Sequence, residues 1–268
     1  MAGEITLAKG PVSVVTLSHP GRLNAMSRAM WRSLRTVFED LQASSGVRCV
    51  VVLGEGGNFC AGGDISEYPS FRFSEDALRD FHENDVWGGL AAMLACDVTL
   101  VAQIEGNCMG AGMEIASCCD MRLAGISAKF GAPIAKLGFP MAPREAALVA
   151  SAAGALTAKE MLLSAAVLDA AEMHARGFLN RTLPDAALAE EALALAQRVA
   201  RLAPEAARAN KQTFRALKPL LASAEAEPDA TQNEANLIAG AYRYANSAEH
   251  REGITAFLEK RPPAFDKP

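Results

Sequence analysis

Thr99-Leu100-Val101-Ala102-Gln103-Ile104-Glu105-Gly106-Asn107-Cys108-Met109-Gly110-Ala111-Gly112-Met113-Glu114 is the stretch on which the fold turns. It passes from a β-branched, apolar run into glycines and then into small residues followed by an acid, which predicts a strand, a tight turn and a helix opening just before Glu114. A second turn of the same kind, Phe59-Cys60-Ala61-Gly62-Gly63-Asp64-Ile65, follows the predicted strand Cys49 to Leu53. Small residues in such turns let backbone N–H groups approach a ligand, and an exposed first helical turn adds its dipole, so each can hold an anion or an oxyanion. One glycine turn is weak evidence, because helix-on-strand packing also needs small residues. Two of them can bring N–H groups from separate turns onto one carbonyl oxygen, the geometry that stabilises a thioester enolate.

Outward from these turns, the first half alternates short strands with amphipathic helices. Val12 to Leu17 precedes a helix over Met26 to Leu41; Ser74 to Leu94 is predicted helical before the strand at 99–104; Asp120 to Ala124 is a further strand. This is the rhythm of a layered α/β fold, with Ser27 and Ser74 as N-caps and few hairpins. From Pro143 onward Ala, Leu, Glu and Arg dominate, predicting helices at Arg144 to Ala152, Ala158 to Ser164, Ala186 to Leu202, Glu205 to Leu221, Thr231 to Tyr244 and Glu249 to Lys260, and a C-terminal third that is all helix. Pro204 and the break at Ser223 to Pro228 leave the last two helices free to form a separate layer. No internal repeat is visible. We divide the chain into a core over 1–200 and a helical region over 201–268.

The 268 residues are enough for a large core without disulfide staples. A net charge of -5 gives no general footprint for nucleic acid. The sequence shows neither a secretory start nor an apolar run long enough for a bilayer, so a cytoplasmic protein without nucleic-acid or membrane partners is expected. Cys49, Cys60, Cys96, Cys108, Cys118 and Cys119 form no CxxC pair and are read as reduced core residues, not metal ligands or nucleophiles. His19, His82, His174 and His250 show no pattern. The incomplete glycine fingerprint argues against a nicotinamide site.

Several blocks, in order, resemble the enoyl-CoA hydratase/isomerase (crotonase) family over nearly the whole chain. They are His19 to Met26, Phe59 to Ile65, Ile104 to Glu114 continuing to Asp120, Phe130-Gly131-Ala132-Pro133 with Leu137-Gly138, and Glu252-Gly253 with Ala256 to Arg261. The resemblance implies an α/β, crotonase-like spiral of repeated β-β-α units with a C-terminal helical trimerisation layer, assembled as a homotrimer or a hexamer of two trimers. It implies an acyl-CoA thioester as substrate, with coenzyme A carried by the substrate and no separate cofactor or metal. Matched block to block, the oxyanion hole falls on the N–H groups of Gly63 and Ala111. Coenzyme A would pass Cys60, Ala61, Asp64 and Ile65, and Lys260 would reach the phosphates of the coenzyme A held by a neighbouring subunit.

Two departures stand out. Ala111 replaces the usual glycine, which is harmless provided its φ is negative. Glu114 matches the first catalytic glutamate, but the second, two residues beyond Ala132, is Ile134. Hydration of an enoyl thioester uses two carboxylates, one water and one proton delivered to Cα, so this loss should cost activity unless another group takes over. Arg144 and Glu145 in Pro140-Met141-Ala142-Pro143-Arg144-Glu145 are the nearest replacements in sequence, although the favoured reading leaves Glu145 in the first turn of the next helix. Glu67 is another candidate acid. Asp64 and Asp120 are read as turn tethers, Trp87, Leu90 and Met93 as core or acyl-pocket lining, and Met113, Ile134 and Leu137 as an apolar pocket wall. The leading expectation is a hydratase-type lyase. A single-carboxylate hydrolase, decarboxylase or isomerase and a non-catalytic acyl-CoA binder remain alternatives.

Overall fold

A computed structural model describes residues 2–222 and 247–265. The chain begins with an antiparallel hairpin of β1 (Glu4–Ala8) and β2 (Val12–Ser18). Three turns of similar plan follow. In the first, an extended passage at Met26 leads to α1 (Arg28–Ala43), which returns to β3 (Cys49–Gly54). In the second, an extended passage over 60–63 leads through a 3-10 turn (Ile65–Ser70), α2 (Glu75–Asp80), a π-helical turn (Phe81–Val86) and α3 (Trp87–Ala95) to β4 (Thr99–Ile104). In the third, β5 (Asn107–Met109) and α4 (Ala111–Cys118) lead to β6 (Met121–Gly125). Then come β7 (Lys129–Gly131), a 3-10 turn (Pro133–Leu137), α5 (Pro143–Ala153), α6 (Ala155–Ser164), β8 (Val167–Asp169), α7 (Ala170–Ala175), β9 (Arg181–Leu183), α8 (Asp185–Ala200), α9 (Pro204–Ala222) and α10 (Ala248–Leu258).

The main sheet has the order β1-β2-β3-β4-β6-β9, parallel everywhere but in the opening hairpin. A second ladder climbs beside it one turn at a time. Met26 bridges Gly63, Cys60 bridges Cys108, and β5 pairs with β7, which pairs with β8. Each turn of the chain therefore contributes a long strand, a short extended segment and a helix, which is the repeated β-β-α unit.

The central strands are buried on both faces, as parallel strands covered by helices must be. In β3, Val50 and Val52 enter the main core while Cys49 and Val51 face α8, meeting Leu188, Ala192, Leu195 and Ala196. Amphipathic α1 supplies Met30, Trp31, Leu34, Phe38 and Leu41 to the main core, and its N-cap Ser27 accepts from Met30 N–H as expected. Ser74 caps α2 in the same way.

Some expectations need correction. The helix expected over 74–94 is broken by a π turn, in which Asp85 accepts from Arg28 Nε and Arg32 Nε at 2.6 Å each. These bonds fasten the turn to α1. The chain after Pro143 is not purely helical, since β8 and β9 lie there, and β9 falls within the C-terminal third. Three-residue strands complete ladders started elsewhere and have too few residues to show an alternating pattern. The helix expected over Thr231 to Tyr244 and the break at Ser223 to Pro228 lie outside the described residues. α9 is fastened to the sheet: Lys211 Nζ donates to Val98 O at 2.7 Å and pairs with Asp120 at 2.8 Å, and Arg215 pairs with Asp97 at 2.9 Å. All six cysteines are free and buried.

Candidate active site

The two glycine turns meet at one cavity of about 330 Å³. Three backbone bonds set the first turn: Ala61 N–H donates to Leu23 O, Met26 N–H to Gly62 O and Asp64 N–H to Met26 O. Asn24, in a left-handed conformation that asparagine tolerates, ties the opening turn to this region by donating to Glu55 O and Asn58 O. This pairing uses the flanking residues and leaves Gly63 N–H without a partner among the described residues. A Cβ on Gly63 would collide with the Tyr68 hydroxyl, so a side chain there would have to displace that ring.

The second turn presents its N–H differently. Gly110, with φ +47°, donates its own N–H to Gly131 O and redirects the chain into α4. Ala111 is the first residue of α4, so its N–H is one of the orphan donors at a helix start. Ala111 is not among the residues of positive φ, so its methyl costs nothing. Gly112 must be glycine because a Cβ would lie 2.6 Å from Cys60 O of the first turn. The first turn opens into a short 3-10 helix rather than an α-helix, so only the Ala111 side of the cavity has a full helix dipole behind it.

Facing these donors is a wall of ionisable side chains. Glu114, on the first turn of α4, is 6% exposed and lines the cavity. Burial, reinforced by the charge of Glu145, pushes its carboxyl well above the usual carboxylate range. Glu145 does sit in the first turn of α5, but its side chain is 3% exposed and lines the same cavity, not the surface. There it is hydrogen-bonded to His82 Nδ1 at 2.8 Å. His82 reaches it from the π turn, a local widening of the helix that often serves to aim a side chain. Ile134 lines the cavity as an apolar residue. Arg144 instead points outward, pairing with Glu83 at 3.0 Å and lying over Trp87.

The remaining sequence candidates divide clearly. Ala61, Ile65 and Leu137 line the cavity. Asp64 does not: it caps the 3-10 turn through Ser66 and pairs with Arg22 at 3.2 Å, and despite its burial these bonds hold its carboxyl below the usual range. Cys60 is wholly buried, its thiol is pushed up to about 12 by desolvation, and it does not line the cavity. Lys260 is exposed and does not line the cavity of its own chain. Glu67 accepts from Arg28 N–H at 2.8 Å and so supports the start of α1. Asp120 accepts from Leu100 N–H at 2.7 Å as a tether. Leu90, Met93 and Met113 belong to the core and do not touch the cavity. Among the described residues no group of three or more His, Cys, Asp and Glu side chains could hold a metal ion.

Among the polar cavity residues, sequence reading missed four, His82, Tyr68, Arg72 and Lys136. No spacing marks His82, whose partner Glu145 lies 63 residues away in sequence. Tyr68 and Arg72 sit in a segment without helical or strand periodicity. Burial raises the Tyr68 phenol pKa, so it remains a hydrogen-bond donor across the neutral range.

Known proteins resemble this chain over most of its length. A family model described as enoyl-CoA hydratase/isomerase matches residues 8–268. The 2,3-dehydroadipyl-CoA hydratase of Escherichia coli is 31% identical, covering 95% of this chain and 94% of its own. The mevalonyl-coenzyme A hydratase of Beauveria bassiana is 28% identical over 98% of this chain and 94% of its own. The crystal structure of an enoyl-CoA hydratase/carnithine racemase from Magnetospirillum magneticum superposes with a TM-score of 0.89 at 33% identity, covering 97% of this chain and 94% of that one. With the spiral, the paired glycine turns and a family match that runs nearly end to end, the chain belongs to the enoyl-CoA hydratase/isomerase family.

Proposed function

We propose that the protein hydrates an enoyl-CoA thioester, with Glu145 standing in for the carboxylate absent at Ile134. The observation that carries this reading is the placement of Glu145: it is buried, held by His82, and shares one cavity with Glu114, Gly63 and Ala111. In this reading the N–H groups of Gly63 and Ala111 donate to the thioester oxygen. The Glu145 carboxylate, oriented by His82, takes a proton from water as the water oxygen bonds to Cβ, and the electron pair of the double bond moves toward the thioester oxygen as an enolate. Glu114, whose proton is retained by burial and by the Glu145 charge, delivers that proton to Cα. The proton gained by Glu145 then passes to Glu114 and resets the pair.

Two relatives are named as CoA-thioester hydratases with different acyl groups, which supports hydration as the reaction and leaves the acyl group to this chain's own cavity. The resemblance also carries the expectations of a trimer or hexamer and of Lys260 serving a neighbouring subunit's coenzyme A.

The test is a spectrophotometric assay of crotonyl-CoA and longer or substituted enoyl-CoA thioesters. Loss of the conjugated-thioester absorbance with formation of the 3-hydroxyacyl product supports the reading. Tight acyl-CoA binding without hydration of any of them overturns it in favour of hydrolysis, decarboxylation or binding alone.

A further inference from the structure

The reaction outlined above leaves two cations of the cavity unused, the exposed Lys136 and the more enclosed Arg72. Arg72 lines the cavity half-buried, its guanidinium carbon 3.5 Å from the centre of the Phe139 ring and 4.6 Å from that of Tyr68. It feels the charge of Glu145 through space, and burial lowers its pKa, yet among the described residues its guanidinium donates no hydrogen bond. A guanidinium stays charged at all ordinary pH and presents a planar fork suited to a carboxylate. Packing in the corner of these two rings, which meet at 71°, holds that fork without using its N–H groups. The wall around it includes the apolar Ile134, Leu137, Phe139 and Met141, and Glu145 acts on it through space without a hydrogen bond.

Its position along a bound thioester follows from Tyr68. The Tyr68 hydroxyl touches Gly63, and Arg72 lies over the ring of the same tyrosine, so the guanidinium is about one side chain from the oxyanion corner. The phosphates of coenzyme A lie a whole pantetheine arm away from the thioester carbonyl. An anion that reaches Arg72 therefore belongs to the acyl group.

We propose that the protein is specific for acyl-CoA thioesters whose acyl chain ends in a carboxylate, and that the Arg72 fork, clamped by Phe139 and Tyr68, receives it. This rests on the reading that the cavity holds an acyl-CoA thioester, but not on the reaction performed there.

Calorimetric titration of unreactive saturated pairs, pentanoyl-CoA against glutaryl-CoA and hexanoyl-CoA against adipyl-CoA, tests it without turnover. The wild type is expected to bind the carboxylate-ended member of at least one pair about tenfold or more tighter, in line with a charge-assisted hydrogen bond. Arg72→Met should abolish that preference while methyl-ended binding stays within about threefold, and Arg72→Lys should keep part of it. Thermal melting of each variant checks that it folds. Equal affinity for both members in the wild type overturns the proposal with no variant needed. So does an Arg72→Met variant that weakens both members and free coenzyme A alike, which would assign Arg72 to a phosphate. If no enoyl-CoA is hydrated while the Arg72-dependent preference persists, hydration fails and this inference stands.

Discussion

The oxyanion corner and the acid/base wall of the cavity are built in opposite ways. The corner is backbone. Gly63 and Ala111 offer N–H groups whose directions are fixed by ladder pairing and by the start of α4, and the side chains matter mainly by being small. The wall is side chain, assembled from α4, α5 and a π turn, elements that meet only through tertiary packing. A backbone site survives substitution as long as the turn keeps its shape. A side-chain wall can be refilled from another element, which is the role proposed for Glu145 of α5 beside Ile134.

The largest effect should fall on the wall. Glu114→Gln removes the group proposed to protonate Cα, and hydration kcat should fall on the order of a thousandfold while acyl-CoA binding is retained. A loss under about tenfold would mean that proton delivery does not depend on Glu114.

Next comes the corner. Gly63→Ala forces a methyl against the Tyr68 hydroxyl and displaces the N–H, and kcat should fall about a hundredfold, as for loss of one oxyanion donor. If truncating Tyr68 in the same chain, as Gly63→Ala with Tyr68→Phe, restores most of the rate, the collision is the cause. Without rescue, the corner is less dependent on that hydroxyl contact than the structure implies.

A smaller effect separates the two regions by pH. Because the folded pKa of Glu114 is raised, the folded chain binds more protons than the unfolded chain, and stability falls as pH rises from the unfolded value of about 4.5 through the folded value. The melting temperature of Glu114→Gln should therefore gain on that of the wild type as pH increases over this window, and Glu145→Gln should move the window to lower pH by removing the charge that opposes ionisation. Gly63→Ala should leave this pH dependence in place. A pH-independent gap between wild type and Glu114→Gln would contradict the buried, proton-retaining carboxyl.

The smallest effect is a control outside both regions. Glu67 accepts from the first N–H of α1, so Glu67→Ala should cost about 1 kcal/mol of stability in denaturant titration, as a lost helix-start contact does, with activity unchanged.

The same contrast explains what could be read from the sequence. The strands at 12–17, 49–53 and 99–104, the caps at Ser27 and Ser74, and the two glycine turns all leave local marks, because each depends on neighbours in the chain. β8 and β9 leave none, being three residues long and paired with distant strands. The direction of Glu145 was likewise illegible. Its neighbour Arg144 faces solvent and pairs with Glu83, whereas Glu145, one residue on, turns inward to His82. Both readings of the motif are compatible with a helix first turn, and only the packing of the π turn over α5 separates them. Tyr68 and Arg72 fall in an aperiodic segment, where spacing carries no information about burial.

The most direct test of the central claim is hydration kinetics of Glu145→Gln on the enoyl-CoA thioester that the wild type hydrates fastest, beside the double variant Glu145→Gln/Ile134→Glu. The account predicts a fall in kcat of about a hundredfold or more for the single variant, and partial recovery when a carboxylate is placed at 134. A folded Glu145→Gln protein that retains wild-type kcat would contradict it, and would leave Glu114 as the sole carboxylate of the reaction.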